Sequence, residues 1–188
     1  PLESGPLVDP GLWPPRFLKL HLHLDDGGEL AFTSARRLGR IRLRDNVRAE
    51  PPVSTLGYDP LLELPSAEEF AARLGPRRGT LKGLLLDQGF AAGVGNWIAD
   101  EVLYRARLDP RRAVPTLSAG ERDAMRLAIR EVVVVACDAN ARAESLPADW
   151  LFHRRWGRPE GTVDADGAPI VVLTLAGRST AFVPSRQR

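Results

Sequence analysis

The sequence predicts an α+β protein, with strands first, helices in the middle and a β-hairpin at the end. Near the N-terminus, apolar and polar residues alternate with the period of a half-buried strand. In the middle of the chain, two capping-box sequences precede residues with helical periodicity. Near the C-terminus, two short apolar segments flank a turn sequence. We therefore expect three domains, at residues 1–60, 61–146 and 147–188.

The N-terminal strands are predicted to form part of an antiparallel β-sandwich. Residues 1–15 contain five prolines and show no periodicity, which predicts a loop. The next segment alternates leucines with Lys19, His21 and His23, so its leucines should face a core. The predicted strands cover residues 16–24, 29–33 and 38–43, and a Pro-rich connector follows at 50–65.

Four helices and a hairpin are predicted after the connector. Ser66 with Glu69, and Ser118 with Glu121, form capping boxes, in which the side chain of each residue bonds the backbone amide of the other. The predicted helices run from the Ser66 cap to residue 74 and over 81–87, 96–107 and 118–141. The hairpin has strands at 170–175 and 180–183, with Arg178 at its tip.

The overall charge leaves the partner of the protein open. The formal net charge is +2, whereas binding to nucleic acid requires basic side chains clustered on one face. Lys19 and Lys82 are the only lysines, so nearly all strong bases are arginines. Arginine suits phosphates and base edges because its guanidinium is planar and donates in pairs. A compositional bias of the source genome explains the same surplus.

Neither a metal site nor a membrane segment is predicted. Cys137 is the only cysteine, so it cannot form an intrachain disulfide. The three histidines, His21, His23 and His153, do not fall at the spacings of a Cys-rich four-ligand zinc site. No apolar run reaches the roughly 18 residues of a membrane span, and the N-terminus lacks a signal-peptide pattern. We expect a soluble, intracellular protein without a metal or cofactor.

A glycine-rich turn between the second and third helices is a candidate anion site. Gly89, Gly93 and Gly95 lie within seven residues, and Gly89 suits a helix end with positive φ. Asn96 is predicted to cap the third helix, whose first amides would point at a ligand from the positive end of the helix dipole. The alternative is an ordinary connector with a polar cap.

Residues 82–88 and 93–110 resemble the helix-two-turn-helix signature of the formamidopyrimidine-DNA glycosylase and endonuclease VIII family. Residues 32–39 resemble the family's strand with an Arg-Arg-Phe-Gly motif, and residues 177–184 resemble its C-terminal finger. The resemblance extends from Trp13 to the C-terminus in the family's order. It implies a helix-two-turn-helix domain that ends in a β-hairpin finger.

The finger resembles that of the zincless subgroup, which includes plant, fungal and some animal and viral members. The family's finger is commonly a four-cysteine zinc site, whereas no cysteine follows Cys137 here. Apolar packing must then replace the metal. Six side chains are available for it, namely Trp150, Phe152, Trp156, Val171, Leu173 and Phe182.

The resemblance implies roles for seven residues. By the resemblance, Lys82 and Asn96 grip phosphates beside the lesion, and Arg36 approaches the base opposite it. Leu38 fills the gap left by the flipped nucleotide, and Arg178 contacts phosphate and assists the second elimination step. Arg77 and Arg78 match basic residues near the DNA. Solvated surface positions remain the alternative for the basic residues, and a place in the sandwich core is the alternative for Leu38.

The implied function of the full-length form is that of a DNA glycosylase and AP lyase of base-excision repair, acting on oxidised bases. The expected partner is damaged double-stranded DNA, bound by a monomer in the nucleus of a eukaryote or the nucleoid of a bacterium. In the family, an N-terminal proline followed by glutamate attacks the sugar. Pro1 is followed by Leu2, and only about a dozen residues separate it from the first strand, so we expect a fragment that lacks the nucleophile.

Two alternatives stay open. A non-catalytic nucleic-acid-binding module is one, because helix-two-turn-helix elements also occur in a small-subunit ribosomal protein and a topoisomerase subunit. A purely structural helical domain is the other, although it leaves Lys82, Asn96 and Arg178 unexplained. The sequence does not distinguish a preference for oxidised purines from one for oxidised pyrimidines.

Overall fold

The computed structural model describes residues 10–156 and 161–188. The chain forms two compact units, residues 1–46 and residues 47–188. Pro1 lies outside the described residues. The α+β class is confirmed, because both units contain strands and the second contains four α-helices among its described residues. None of the described helices combines the length and the apolarity needed to cross a membrane.

The first unit contains a two-stranded antiparallel sheet. Strand β1 (Leu18–His23) pairs with β2 (Glu29–Thr33), which confirms the first two predicted strands. The third predicted strand, at 38–43, is wrong, because these residues have no strand conformation. Arg37 has a φ of 54°, so the chain turns just before this segment. No strand in the described part of the chain pairs with the segment, so its backbone forms no ladder.

The helices of the second unit begin where their caps predict. Helix α1 (Ala67–Leu74) and helix α4 (Ala119–Asp138) each start at a complete capping box, at Ser66 and Ser118. The two helices between them are slightly shorter than predicted. They are α2 (Leu81–Leu86), capped by the Thr80 side chain, and α3 (Asn96–Arg105). Helix α3 stops early because Arg107 adopts a positive φ of 58°.

The core of the second unit lies between its helices and includes the connector that precedes them. Phe70 of α1, Leu85 of α2 and Val102 of α3 are fully buried in it. The Gly57 amide donates to the Gln88 carbonyl at 2.8 Å, which ties the connector to the turn after α2. Residues 47–60 thus belong to the same compact unit as the helices. The three-domain division at residues 60 and 146 stays a prediction.

A β-hairpin closes the chain. Strand β3 (Val171–Leu175) pairs antiparallel with β4 (Arg178–Phe182). The turn between them is Ala176–Gly177, and both residues have positive φ, 48° and 70°. Two positive φ values are the requirement of a type I′ turn, whose twist matches that of the strands.

The proposed apolar packing of the finger is only partly observed. Trp150 and Phe182 are fully buried, and Phe152 packs edge-to-face on Trp97 with ring centroids 4.9 Å apart. Trp156 is 58% exposed and Val171 is 40% exposed. Apolar contacts therefore account for only part of the packing in a finger without cysteine.

A buried carboxylate organises the loop before β3. Asp164 accepts hydrogen bonds from the Asp166 and Ala168 amides at 3.0 and 2.8 Å. Its other oxygen accepts the Tyr104 hydroxyl at 2.9 Å and lies 2.5 Å from the Arg186 guanidinium. Burial opposes ionisation here, but the four partners together hold the pKa of Asp164 below its usual value. Asp164 thus joins the finger loop to helix α3 and to the C-terminal segment.

Candidate nucleic-acid interface

The turn between α2 and α3 is held by one side chain. The amide nitrogen of Gln88 donates to the Val94 carbonyl at 3.0 Å, and its amide oxygen accepts from Gly93 at 3.0 Å. Gly93 has a φ of 81°, a conformation that favours glycine. The predicted positive φ at Gly89 is wrong, because Gly89 is not among the residues with positive φ. The side chain of Gln88 therefore braces the tight part of the turn.

Asn96 is the first residue of α3 rather than its cap. Gly95 is the N-cap and has no side chain to offer, so the predicted capping role of Asn96 needs correction. The first amides of a helix have no carbonyl within the helix to bond. Those of Asn96, Trp97 and Ile98 occupy this position, beside a glycine whose missing side chain faces open space. The helix end can therefore accept an anion.

The side chains of α3 bond the open edge of β4. The Asn96 amide nitrogen donates to the Ser179 carbonyl at 2.9 Å, and Asp100 accepts the Ala181 amide at 3.1 Å. Residues four apart on a helix lie about 6 Å apart along its axis, and alternate residues of a strand lie about 6.6 Å apart. The two spacings match, so one helix face can bond two backbone groups on the same side of the strand. The hairpin is thereby held in register on α3.

A buried charge network lies behind this contact. Asp100 accepts from the Lys82 ammonium at 2.5 Å and from the Arg155 guanidinium at 2.6 and 3.1 Å. Lys82 and Asp100 have no exposed side-chain surface, and Arg155 has almost none. Desolvation lowers the pKa of Lys82, while the charge of Asp100 opposes that shift. Three elements, α2, α3 and the segment before β3, thus meet on one carboxylate.

The expected direct contact of Lys82 with phosphate needs correction. Its ammonium is 0% exposed and also donates to the carbonyl of Asn96 at 2.8 Å. A group without surface cannot touch a phosphate. Lys82 instead holds the first residue of α3 in place from behind.

Arg178 stands at the outer end of the hairpin. It is the first residue of β4, directly after the two-residue turn, and its side chain is exposed. Its guanidinium makes no hydrogen bond or ion pair with the residues that the structure describes. The next residue, Ser179, receives the bond from Asn96. The structure therefore brings Arg178 and the N-terminus of α3 together.

Arg77 and Arg78 lie before α2 and differ in their partners. Arg77 forms an ion pair with Asp87, donates to the Gly89 carbonyl at 3.2 Å and lies over the ring of Phe90. Arg78 is exposed and donates to backbone carbonyls only. Arg78 therefore keeps its charge for an external partner, whereas the charge of Arg77 is already balanced.

Arg36 and Leu38 lie in the first unit, in and just after the turn that follows β2. Arg36 is exposed, and Leu38 is 73% exposed. A core position for Leu38, which the sequence left open, does not agree with this exposure. An exposed leucine at a turn can serve as a wedge.

Sequence reasoning missed Asp100, Arg155 and Glu101. A charged residue on the buried face of an amphipathic helix is the available signal for Asp100 and Glu101, whereas Arg155 lies among other basic residues and carries no such signal. Glu101 is fully buried and accepts the Phe152 amide at 3.0 Å. Burial raises the pKa of Glu101 to about 7, in spite of bonds from the Phe152 and Leu151 amides.

The helices, the glycine-rich turn and the hairpin together define a helix-two-turn-helix protein with a closing finger. The family model described as the formamidopyrimidine-DNA glycosylase H2TH domain matches residues 56–146. A formamidopyrimidine-DNA glycosylase of Arabidopsis thaliana is 43% identical over 176 residues, which are 94% of this chain and 45% of that protein. The chain belongs to the formamidopyrimidine-DNA glycosylase family, as its sequence motifs imply.

Solved structures agree with this assignment. The crystal structure of MutM (Fpg) from Thermus thermophilus is 35% identical and superposes with a TM-score of 0.74, covering 94% of this chain and 70% of that one. Lactococcus lactis Fpg, in a complex with DNA that contains an abasic site, is 26% identical with a TM-score of 0.61. That match covers 71% of this chain and 51% of the Lactococcus chain. This chain spans less than half the length of the Arabidopsis relative.

Proposed function

We propose that this chain supplies the DNA grip of a base-excision-repair glycosylase that removes oxidised bases and cleaves the strand as an AP lyase. The bond between Asn96 and the Ser179 carbonyl is the observation that supports the proposal most directly. It holds an exposed guanidinium, that of Arg178, beside the N-terminus of α3. A helix N-terminus and an arginine are both phosphate binders.

The proposed roles follow the exposure of each residue. Arg178 and the amides at the start of α3 bind the phosphates at the lesion, and Arg178 assists the second elimination. Arg78 adds a further phosphate contact, and Arg77 contributes less because Asp87 balances its charge. Asn96 acts through its contact with the hairpin, while Lys82 positions Asn96 from the buried side.

The first unit supplies the contacts at the flipped nucleotide. Arg36 approaches the base opposite the lesion, and Leu38 fills the gap in the stack. Both side chains are exposed, as these roles require.

The partner we propose is damaged duplex DNA, bound by one copy of the chain. Lactococcus lactis Fpg forms a complex with DNA that contains an abasic site, which supports the same class of ligand for this chain. A protein with this ligand works inside the cell, in a nucleus or a bacterial nucleoid.

The proposal is tested by binding to a duplex with a single abasic-site analogue and to the same duplex intact, measured by fluorescence anisotropy at several salt concentrations. Arg178→Ala removes one charge-assisted contact worth about 1.5–3 kcal/mol, so affinity for the abasic duplex should fall roughly 10- to 100-fold. The salt slope should fall by about 1. Arg142→Ala, which removes an exposed arginine after α4, is the matched control and should change affinity less than about twofold.

Two results would contradict the proposal. Equal losses in Arg178→Ala and Arg142→Ala would show that only net charge matters. Equal binding of the wild-type chain to abasic and intact duplex would favour a non-catalytic nucleic-acid-binding module.

A further inference from the structure

The sheet of the first unit brings three metal-ligating side chains to one place. His21 and His23 are two positions apart on β1, so they point to the same face. Glu29, the first residue of β2, is directly opposite His23 in the antiparallel register. Their ligand atoms all lie within 4.8 Å of one another. The hairpin therefore gathers two imidazoles and one carboxylate that the sequence spacing alone did not suggest.

The distances fit a tetrahedral ion. His23 Nδ1 lies 3.3 Å from one oxygen of Glu29, and His21 Nε2 lies 3.6 Å from the other. Zinc–nitrogen and zinc–oxygen bonds of about 2.0–2.2 Å at tetrahedral angles place neighbouring ligand atoms roughly 3.4 Å apart. Each nitrogen therefore lies about one tetrahedral edge from one oxygen of the Glu29 carboxylate, and the two nitrogens face different oxygens. Both separations exceed a normal hydrogen bond.

One imidazole nitrogen of His21, Nε2, lacks a hydrogen-bond partner among the described residues. This nitrogen is also buried from solvent. A buried polar atom without a partner is costly. The rings of Trp13 and His21 pack in a T-shaped arrangement, with centroids 5.3 Å apart. This buried nitrogen lies 3.6 Å from a Glu29 oxygen, within the group of three side chains.

The chemistry of the three donors selects the ion. Imidazole suits zinc and its transition-metal neighbours, whereas calcium and magnesium take oxygen ligands almost exclusively. Two imidazoles and a carboxylate with an open fourth position are a known ligand set for zinc. The two histidines do not match the spacings of a Cys-rich zinc site, and Glu29 lies across the turn from them, so the metal group is not visible in the sequence pattern.

We propose that His21, His23 and Glu29 form a binding site for a borderline divalent cation such as Zn²⁺. The three side chains supply three ligands, and water completes the shell. The ion joins β1 to β2 at their turn end. A two-stranded hairpin is marginal by itself, so this link would stabilise the sheet that precedes Arg36 and Leu38.

The test is titration of the 188-residue chain with Co²⁺ and Zn²⁺. Four-coordinate Co²⁺ absorbs strongly in the visible range, and Zn²⁺ competes for the same site, which gives affinity and stoichiometry together. We expect one ion per chain and a melting temperature that rises with Zn²⁺ concentration. His23→Gln and Glu29→Gln should each weaken binding roughly tenfold or more and abolish the rise.

The matched control is Asp25→Asn, which removes an exposed carboxylate from the same turn and should leave binding unchanged. Far-UV circular dichroism of each metal-free variant shows whether the chain still folds. Three results overturn the proposal: no visible Co²⁺ band in the wild-type chain, equal affinity in His23→Gln and the wild type, or an equal loss in Asp25→Asn.

Discussion

Replacing Asp100 by asparagine should destabilise the helical unit more than any exposed charge change. The carboxylate is fully buried and is the shared counter-ion of two cations, Lys82 and Arg155, that have almost no access to water. Breaking a buried ion pair by removing one partner costs about 3–5 kcal/mol, because an uncompensated charge stays behind. Asparagine also turns an amide donor toward one of the cations. A loss of this size is a large part of the roughly 5–15 kcal/mol that stabilises a typical domain.

The assay is equilibrium unfolding in urea, followed by tryptophan fluorescence. Asp123→Asn is the matched control, because Asp123 is partly exposed in its ion pair with Arg126, and its loss should cost about 1 kcal/mol or less. A triple variant, Lys82→Met with Asp100→Leu and Arg155→Met, removes every charge of the network and should cost less than Asp100→Asn alone. The reasoning is refuted if Asp100→Asn costs no more than the control, or if the triple variant is less stable than the single one.

Two further changes test the other buried carboxylates. Glu101 has a folded pKa of about 7 against 4.5 in the unfolded chain, so this group favours folding below pH 4.5 and loses that contribution as pH rises through 7. The shift in pKa corresponds to roughly 3 kcal/mol. The stability of Glu101→Gln relative to the wild type, measured by urea unfolding, should therefore increase by about that amount between pH 4.5 and pH 8. A difference in stability that does not change with pH would contradict this reasoning. Asp164→Asn should loosen the finger loop, because it weakens the contacts of residue 164 with Tyr104 and Arg186. The expected result is faster amide hydrogen exchange in residues 161–170. Unchanged exchange in these residues would contradict the role of Asp164.

Local signals predicted most of the fold. The capping boxes at Ser66 and Ser118 gave the starts of α1 and α4, because a capping box depends on only four successive residues. Strand 29–33 was predicted with the bounds it has in the structure, since alternation over five residues suffices for a short strand. The predicted strand at 38–43 failed because a strand also needs a partner, and alternation does not show whether one is present.

The candidate site was less predictable, because its contacts join residues far apart in the chain. The basic character of Lys82 suggested a phosphate contact, but its environment depends on Asp100, 18 residues later, and on Arg155, 55 residues beyond that. Burial decides whether a cation binds DNA or holds the fold, and burial depends on the packing of α2, α3 and the finger. Arg178 differs in this respect, because a residue next to a two-residue turn is exposed by local geometry alone.

The contacts between α3 and β4 explain how a finger without cysteine can keep its arginine in place. In a zinc finger of this kind, metal ligands fix the hairpin. Here, Asn96 and Asp100 bond the backbone of Ser179 and Ala181 on the edge of β4 that faces away from β3. The residue between the turn and these two bonds is Arg178. Its position therefore depends on the same helix whose N-terminus is the proposed phosphate site. Loss of either bond should weaken the two DNA contacts together, because one helix face aligns both.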